Sequence, residues 1–509
     1  MVKMVTQDTR PRRSLYRHPL AALGGALVLA GAFLFVILFL MDITAHTENP
    51  YSALVTYVLV PAVITIGALL FLWSIRLQVR AAKRAGEKVH FNLYIDPTDP
   101  RYIRNLWLFL GLAAVLITLV AYSGYRAYES TDSVAFCGKT CHTVMEPQYV
   151  TYMNSPHARV PCVECHIGPG ASFYVRSKVD GTRQLIRTAM NTYERPIQTP
   201  VKNLRPAQQT CEGCHWPQQF WGDKYVTRTY YKPDSVNSPW TISLLVKVGG
   251  GNPRTGKQEG IHWHMLADNK VEYISTDDKR QVIPWVRVTR PDGEVHIYKD
   301  PDAKIPDPND PKTEIRRFDC MDCHNRPSHR FNPPATALNL ALSTRNLSPS
   351  LPFIRQEGLD LLNAKYDNRD QAQAAIASGL PEYYEKNYPT IAAQNGAEIK
   401  QAVETLQRIY HENFFPEMKT DYRARENNLS HLVNDGCFRC HDQAKVDEKG
   451  DHIASACSTC HLIVAQGPSE NPAQLASSIS GLEFQHPEEI EDAWKENKCT
   501  SCHNSDSGY

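Results

Sequence analysis

Three stretches of the chain, residues 19–41, 51–75 and 105–125, contain no Asp, Glu, Lys or Arg, and no charge-free stretch of that length follows them. About 20 apolar residues cross the hydrocarbon core of a bilayer, so this pattern predicts three transmembrane α-helices. Pro61 falls inside the second stretch and predicts a kink there. Beyond residue 126 the pattern changes. Apolar and polar residues alternate over 241–248, 270–275, 281–289 and 294–299, with turn signals at Gly249-Gly250-Gly251 and Pro291-Asp292-Gly293, which predicts a small antiparallel β insertion. Residues 352–430 carry longer helical periods with few glycines, and the Pro- and Asp-rich run 300–311 reads as a loop. The expected fold is therefore a membrane protein with three transmembrane α-helices and a mainly α/loop outer region containing a small β insertion.

Charge orients this arrangement. Lys and Arg are retained on the cytoplasmic side of a membrane. The N-terminal tail holds Lys3, Arg10, Arg12, Arg13 and Arg17, and the second loop holds Arg76, Arg80, Lys83, Arg84, Lys88, Arg101 and Arg104, whereas residues 42–50 hold none. Everything after Tyr125 is thereby placed in the periplasm, outside a bacterial inner membrane. The first stretch is longer than the apolar part of a signal peptide and is expected to be a retained anchor. Residues 1–126 hold 13 Lys/Arg against 6 Asp/Glu, leaving 42 against 48 for the remainder. A net acidic outer region argues against nucleic acid as a partner, because phosphate binding needs a basic face.

The candidate chemistry lies in the cysteines. All 14 fall into seven pairs, each closed by a histidine: Cys137/Cys141-His142, Cys162/Cys165-His166, Cys211/Cys214-His215, Cys320/Cys323-His324, Cys437/Cys440-His441, Cys457/Cys460-His461 and Cys499/Cys502-His503. Six are C-x-x-C-H and the first is C-x-x-x-C-H. Two thiols one turn apart can each form a thioether to a porphyrin, and the adjacent imidazole then meets the iron. A zinc half-site, a redox dithiol or a disulfide framework gives no reason for a histidine after every second cysteine. Seven covalently bound haem c groups are the expected cofactors, so the outer region should be haem-packed, with the haems supplying much of the buried packing.

A low-spin haem takes a second axial ligand. Nine further histidines lie in the outer part: His157, His262, His264, His296, His329, His411, His431, His452 and His486. His157, His329 and His431 stand at short offsets from a motif and are the first candidates. His411, on an expected helix over 402–414, His452 and His486 follow. One of His262 and His264 is expected to ligate, with His264 taken as the candidate, because a strand would set both on one face. His296 reads as structural. Met145, three residues after His142, is either a thioether ligand of the first haem or a core side chain.

The expected divisions are 1–126 (membrane domain), 127–215 (haems 1–3), 216–318 (β-rich insertion), 319–430 (haem 4 and helices) and 431–509 (haems 5–7). The segment from Phe136 through Cys137, Cys141, His142 and Met145 to Pro147, then Tyr152-x-x-Ser155-Pro156-His157 and Cys162-Val163-Glu164-Cys165-His166, resembles the start of the NapC/NirT family of membrane quinol dehydrogenases over roughly residues 106–220. That resemblance implies Met145 as a ligand of the first haem. It also implies a quinol site built from a lysine and an acidic residue after the second motif, which are Lys178 and Asp180 here. Family members usually have one anchor and four or five haems. The three spans and seven motifs of this chain resemble the ImcH-type inner-membrane cytochromes of metal-reducing bacteria. The implied function is oxidation of menaquinol and electron delivery to a periplasmic multihaem cytochrome c. The alternatives are a membrane-anchored terminal reductase and an electron-wire subunit without its own quinol site.

Overall fold

Where the sequence carries no charge, the chain is helical. The computed structural model describes residues 18–45, 55–85, 100–168, 171–200, 206–216, 222–249, 260–265, 269–469 and 480–503, and the chain divides into two units, Met1–His142 and Thr143–Tyr509. In the first unit, α1 (Pro19–Ala45) and α2 (Val60–Arg84) pack along their length. Side chains at Gly24 and Gly67 would collide with the facing helix backbone, so two glycines set this close approach. Small residues serve the same purpose where helices meet in lipid and no hydrophobic force drives them together. Apolar side chains such as Leu29, Phe33 and Leu69 point outward and are exposed, as a lipid-facing surface requires.

Among the described residues, two helical segments, Pro19–Met41 and Val55–Arg84, are long and apolar enough to cross a membrane. The third charge-free stretch lies within α3 (Pro100–Asp132), whose 33 residues form one continuous helix. At 1.5 Å per residue it is about 50 Å long, so it outruns its apolar part by more than one turn. Pro61 does not kink a helix midway. It sits in the first turn of α2, directly after a π-helical turn at Val55–Leu59, where its missing N–H costs nothing. Residues 1–17, 46–54 and 86–99, which carry much of the charge argument for orientation, lie outside the described residues.

The second unit holds the remaining elements: α4, which starts at the junction (His142–Met153), α5 (Ala171–Ala189), and the helices α6 (Pro334–Ser343), α7 (Ile354–Asn363), α8 (Arg369–Asn387) and α9 (Gly396–Asn413). Leu338, Leu342, Leu347, Leu351, Ile354, Leu362, Ile376, Leu380, Tyr384 and Leu406 are completely buried between α6 and α9. The expectation that haems would stand in for a large apolar core therefore needs correction. The helical part has its own core, and the motif segments are short turns apart from it.

Strands form at the expected places with trimmed ends: β2 (Pro239–Val246), β3 (Lys270–Ile274), β4 (Trp285–Thr289) and β5 (Val295–Lys299). Two more, β1 (Lys224–Tyr231) and the short β6 (Arg316–Arg317), were not foreseen. One sheet has the order β5-β4-β3-β6, and residues 300–311 make turns as expected. The other has the order β1-β2-β7, and β7 (His461–Pro468) comes from the far end of the chain. Residues 216–318 are thus not a self-contained β insertion. Their inner strand is completed by the segment that begins at the sixth motif histidine, with Val246 opposite His461.

Candidate functional site

None of the 14 cysteines forms a disulfide. The motifs share one local conformation: the backbone N–H of His215, His324, His441 and His503 donates to the carbonyl of the first cysteine of its own motif at 2.7, 2.8, 3.0 and 2.8 Å. A single helical turn therefore carries both thiols and the imidazole. The first motif differs. Phe136–Thr140 is a π-helical turn, whose wider winding takes in the additional residue between Cys137 and Cys141. The fourth turn is held by a capping box, in which Asp319 accepts from the Met321 N–H and buried Asp322 accepts from the Asp319 N–H, each at 2.7 Å. Tyr273 donates its hydroxyl to Asp322 from the neighbouring sheet.

Burial of the thiols is uneven. Cys214, Cys457 and Cys502 are exposed, whereas the other cysteines are half-buried. A group attached at these three cysteines would present an edge to solvent.

The motifs of the second unit are neighbours in chain order. The thiols of Cys211 and Cys320 are hydrogen-bonded, which pushes Cys211 up and Cys320 down, and Cys165 also raises Cys211. Cys437 lies close enough to raise both Cys323 and Cys460, and Cys457 raises Cys499. The sequence from second to seventh motif is therefore also a sequence in space.

Each motif histidine of this unit faces a second histidine. The ring centres of His166 and His329 are 6.2 Å apart, of His215 and His157 6.1 Å, of His324 and His262 6.3 Å, of His441 and His264 5.9 Å, of His461 and His431 6.2 Å, and of His503 and His486 5.9 Å. An imidazole nitrogen binds a metal at about 2.0–2.1 Å, so two imidazoles on opposite sides of one ion place their ring centres about 6 Å apart. Paired thiols in one turn, with two imidazoles at this spacing, are a donor set that fits a covalently held haem. Four of the non-motif rings are also fixed in one tautomer. The Nδ1 of His157, His262, His264 and His329 meets the backbone carbonyls of Pro327, Val248, Ile261 and Gln148 at 3.1, 2.7, 3.0 and 3.0 Å. A carbonyl at Nδ1 keeps the proton there and leaves Nε2 for a metal. Buried Tyr152 positions His157, its hydroxyl donating to the pair of carbonyls at Ala158 and Val160.

His262 is the residue that sequence reasoning passed over. The segment holding it is not a strand but a turn of 3₁₀ helix, Ile261–Met265. At three residues per turn, positions two apart diverge instead of sharing a face. His262 turns to the fourth motif and His264 to the fifth. The available signal was numerical, since His-Trp-His supplies two ligands and the chain has few histidines to spare. His411 and His452 are exposed, and among the described side chains neither is paired with a motif histidine; the side chain of His142 lies outside that set. His296 sits 3.2 Å from Glu294 and 3.5 Å from Asp447, a structural role as expected. Met145 is half-buried on α4.

Lys178 and Asp180 stand on α5. Lys178 Nζ lies 4.8 Å from the centre of the Tyr174 ring, and Asp180 pairs with Arg183 at 3.4 Å. Two positions apart on an α-helix, they do not face each other.

Burial pushes His264 and His329 down to about 4 from the ordinary 6.5. It lowers His166, His324, His431, His461 and His503 as well, which keeps the rings in the neutral, metal-binding form. A folded value below the unfolded one means that the unfolded chain takes up the proton first. Above about pH 6.5 these groups do not affect stability; below it they withdraw it, His264 and His329 down to about 4. The denaturant midpoint should therefore fall through that window and not above it, as pH-dependent unfolding would register.

At Gly436, just before the fifth motif, φ is +51° and a side chain would run into the carbonyl oxygens of Asn428 and Ser430. The bend brings Cys437 back beneath the segment that carries His431. Gly436→Ala should cost about 1–3 kcal/mol, seen as a lowered unfolding temperature with haem content unchanged.

Residues 101–199 match the NapC/NirT cytochrome c family, N-terminal region. Cytochrome c-type protein ImcH of Geobacter sulfurreducens is 37% identical over 490 residues, covering 96% of this chain and 95% of that protein. Cytochrome c-type protein NrfH of Wolinella succinogenes is 32% identical over 114 residues, 22% of this chain and 63% of that one. No solved structure matches the chain. With paired-cysteine turns, facing imidazoles and near full-length similarity in agreement, the chain belongs to the family of membrane multihaem c-type cytochromes that includes ImcH, with an N-terminal region of the NapC/NirT type.

Proposed function

We propose that the chain is an inner-membrane heptahaem cytochrome c that oxidises menaquinol and passes the electrons to a periplasmic multihaem cytochrome, in anaerobic or extracellular respiration. The observation that carries this reading is the unbroken neighbour order of the motifs from Cys165 to Cys499. A terminal reductase would need one motif histidine with an open position opposite it, whereas six motif histidines each have a ring facing them. When bound, haem supplies a one-electron couple whose potential follows its axial ligands and surroundings. The seven cysteine pairs would hold the haems. His166, His215, His324, His441, His461 and His503 would bind the irons from one side, and His329, His157, His262, His264, His431 and His486 from the other. His142 and Met145 would serve the first, where a thioether raises the potential.

The single helix through residues 105–125 supports a third span, and the first motif follows it within 12 residues, at the depth where a lipid-soluble quinol is available. Quinol oxidation releases two protons with its two electrons. Asp180 would accept a hydroxyl proton, and the Lys178 ammonium would donate to a quinol oxygen. The test is addition of a soluble menaquinol analogue to the purified protein. Reduction of the haems is expected. Haems that stay oxidised with the analogue but are reduced by dithionite would leave only an electron wire fed by another protein.

A further inference from the structure

Beside the ring pair His166–His329 lie two guanidinium groups with one hydroxyl between them. Thr199 Oγ1 accepts from Arg425 Nη1 at 3.0 Å and from Arg326 Nη2 at 3.3 Å. Arg425 is 2% exposed, and its Nε and Nη2 have no hydrogen-bond partner among the described residues. Arg326 Nε donates to the Glu426 backbone carbonyl at 3.3 Å. The carboxylate that faces both arginines, Glu426, is engaged 2.5 Å from Lys279 Nζ. A buried and a half-buried guanidinium with one carboxylate, itself shared with a third cation, are unfavourable unless an anion completes the site. The planar guanidinium fork matches a carboxylate through two parallel N–H donors. Arg326 stands three residues before His329 in the chain and is tied through Thr199 to Arg425, which keeps both guanidinium groups beside the segment that carries this ring.

We infer that Arg425 and Arg326 form the carboxylate cradle for the propionates of the haem held between His166 and His329. This rests on the axial pairing proposed above. Each guanidinium would donate to a propionate oxygen, keep it ionised and offset its charge. A cation beside a propionate favours the reduced iron, so its removal lowers the potential of that haem and leaves the propionate to take up a proton on reduction.

The experiment is a redox titration of the full-length, seven-haem protein and its Arg425→Gln and Arg425→Lys variants at several pH values, followed by electron paramagnetic resonance of each low-spin iron. His329→Ala identifies the signal that belongs to this haem. Arg425→Gln should lower the midpoint of that haem alone and make it pH-dependent, and Arg425→Lys should restore most of the wild-type behaviour. Arg326→Gln should shift the same haem in the same direction, which covers the case of Arg425→Gln failing to fold. If His329→Ala changes one signal while both fully loaded glutamine variants titrate like wild type, the cradle is overturned and the site holds a free solution anion instead. If His329→Ala leaves every low-spin signal intact, the pairing itself has failed, and the cradle with it.

Discussion

His262→Ala should open one haem iron to carbon monoxide, and His264→Ala should open a different one. Each variant is expected to lose one low-spin signal of the seven and to gain one carbon monoxide-binding haem on reduction, with the double variant gaining two. The physical basis is the turn Ile261–Met265, which sends His262 to 6.3 Å from His324 and His264 to 5.9 Å from His441. Loss of the His262 imidazole leaves its iron five-coordinate, because the flanking Ile261 and Trp263 offer no ligand; beside His264 stands Met265, so His264→Ala is made together with Met265→Leu to keep a thioether from replacing the imidazole. His452→Ala is the control. Its ring is exposed, its Nδ1 is 2.7 Å from the Gln443 carbonyl, and all signals should survive its loss. Carbon monoxide difference spectra decide the matter: no binding to His262→Ala would remove His262 from the ligand set.

The second large effect is expected at α5. Asp180→Asn should slow haem reduction by a menaquinol analogue by about 10²-fold or more, the usual worth of a positioned general base, while dithionite still reduces every haem. The amide keeps the shape and hydrogen-bonding reach of the carboxylate but cannot take the proton. Lys178→Ala should act mainly on the quinol concentration needed, since an ammonium that donates to a quinol oxygen contributes to binding. Stopped-flow traces at varied quinol separate the two. An Asp180→Asn rate equal to that of wild type would place the base elsewhere. The arrangement makes this a sharp test, because Asp180 already pairs with Arg183 at 3.4 Å on an exposed stretch of helix and could be an ordinary surface charge.

Much of this architecture was legible in the sequence, for reasons that are local. A charge-free run reads as a span without knowledge of its neighbours. C-x-x-C-H reads as a haem turn because the i to i+4 backbone bond seen at His215, His324, His441 and His503 is a property of one turn. His157, His329 and His431 were marked by their closeness to a motif, and the structure sets each against a motif histidine. None faces the histidine of the nearest motif in the chain: His157 meets His215, His329 meets His166 and His431 meets His461.

Partner choice is where sequence reasoning stopped. Which ring faces which depends on residues brought together from 17 to more than 170 positions apart, such as His486 with His503 and His264 with His441, and no local period encodes that. A strand would set both histidines of His-Trp-His on one face, and a short run of this kind does not distinguish an extended chain from a 3₁₀ turn. The β-rich region read as an insertion because its completing strand, β7, follows the sixth motif some 200 residues later. Arg326 and Arg425 stand 99 positions apart in the chain and meet only in the fold, on one threonine.

By itself, then, the sequence determined the charge-free runs, the seven paired-cysteine turns and the pool of candidate histidines, because each is written in consecutive residues. The tertiary structure alone decided how the imidazole rings pair, in what order the motifs adjoin and which arginine loses its water, because those outcomes rest on contacts between distant segments that backbone hydrogen bonding and burial select together.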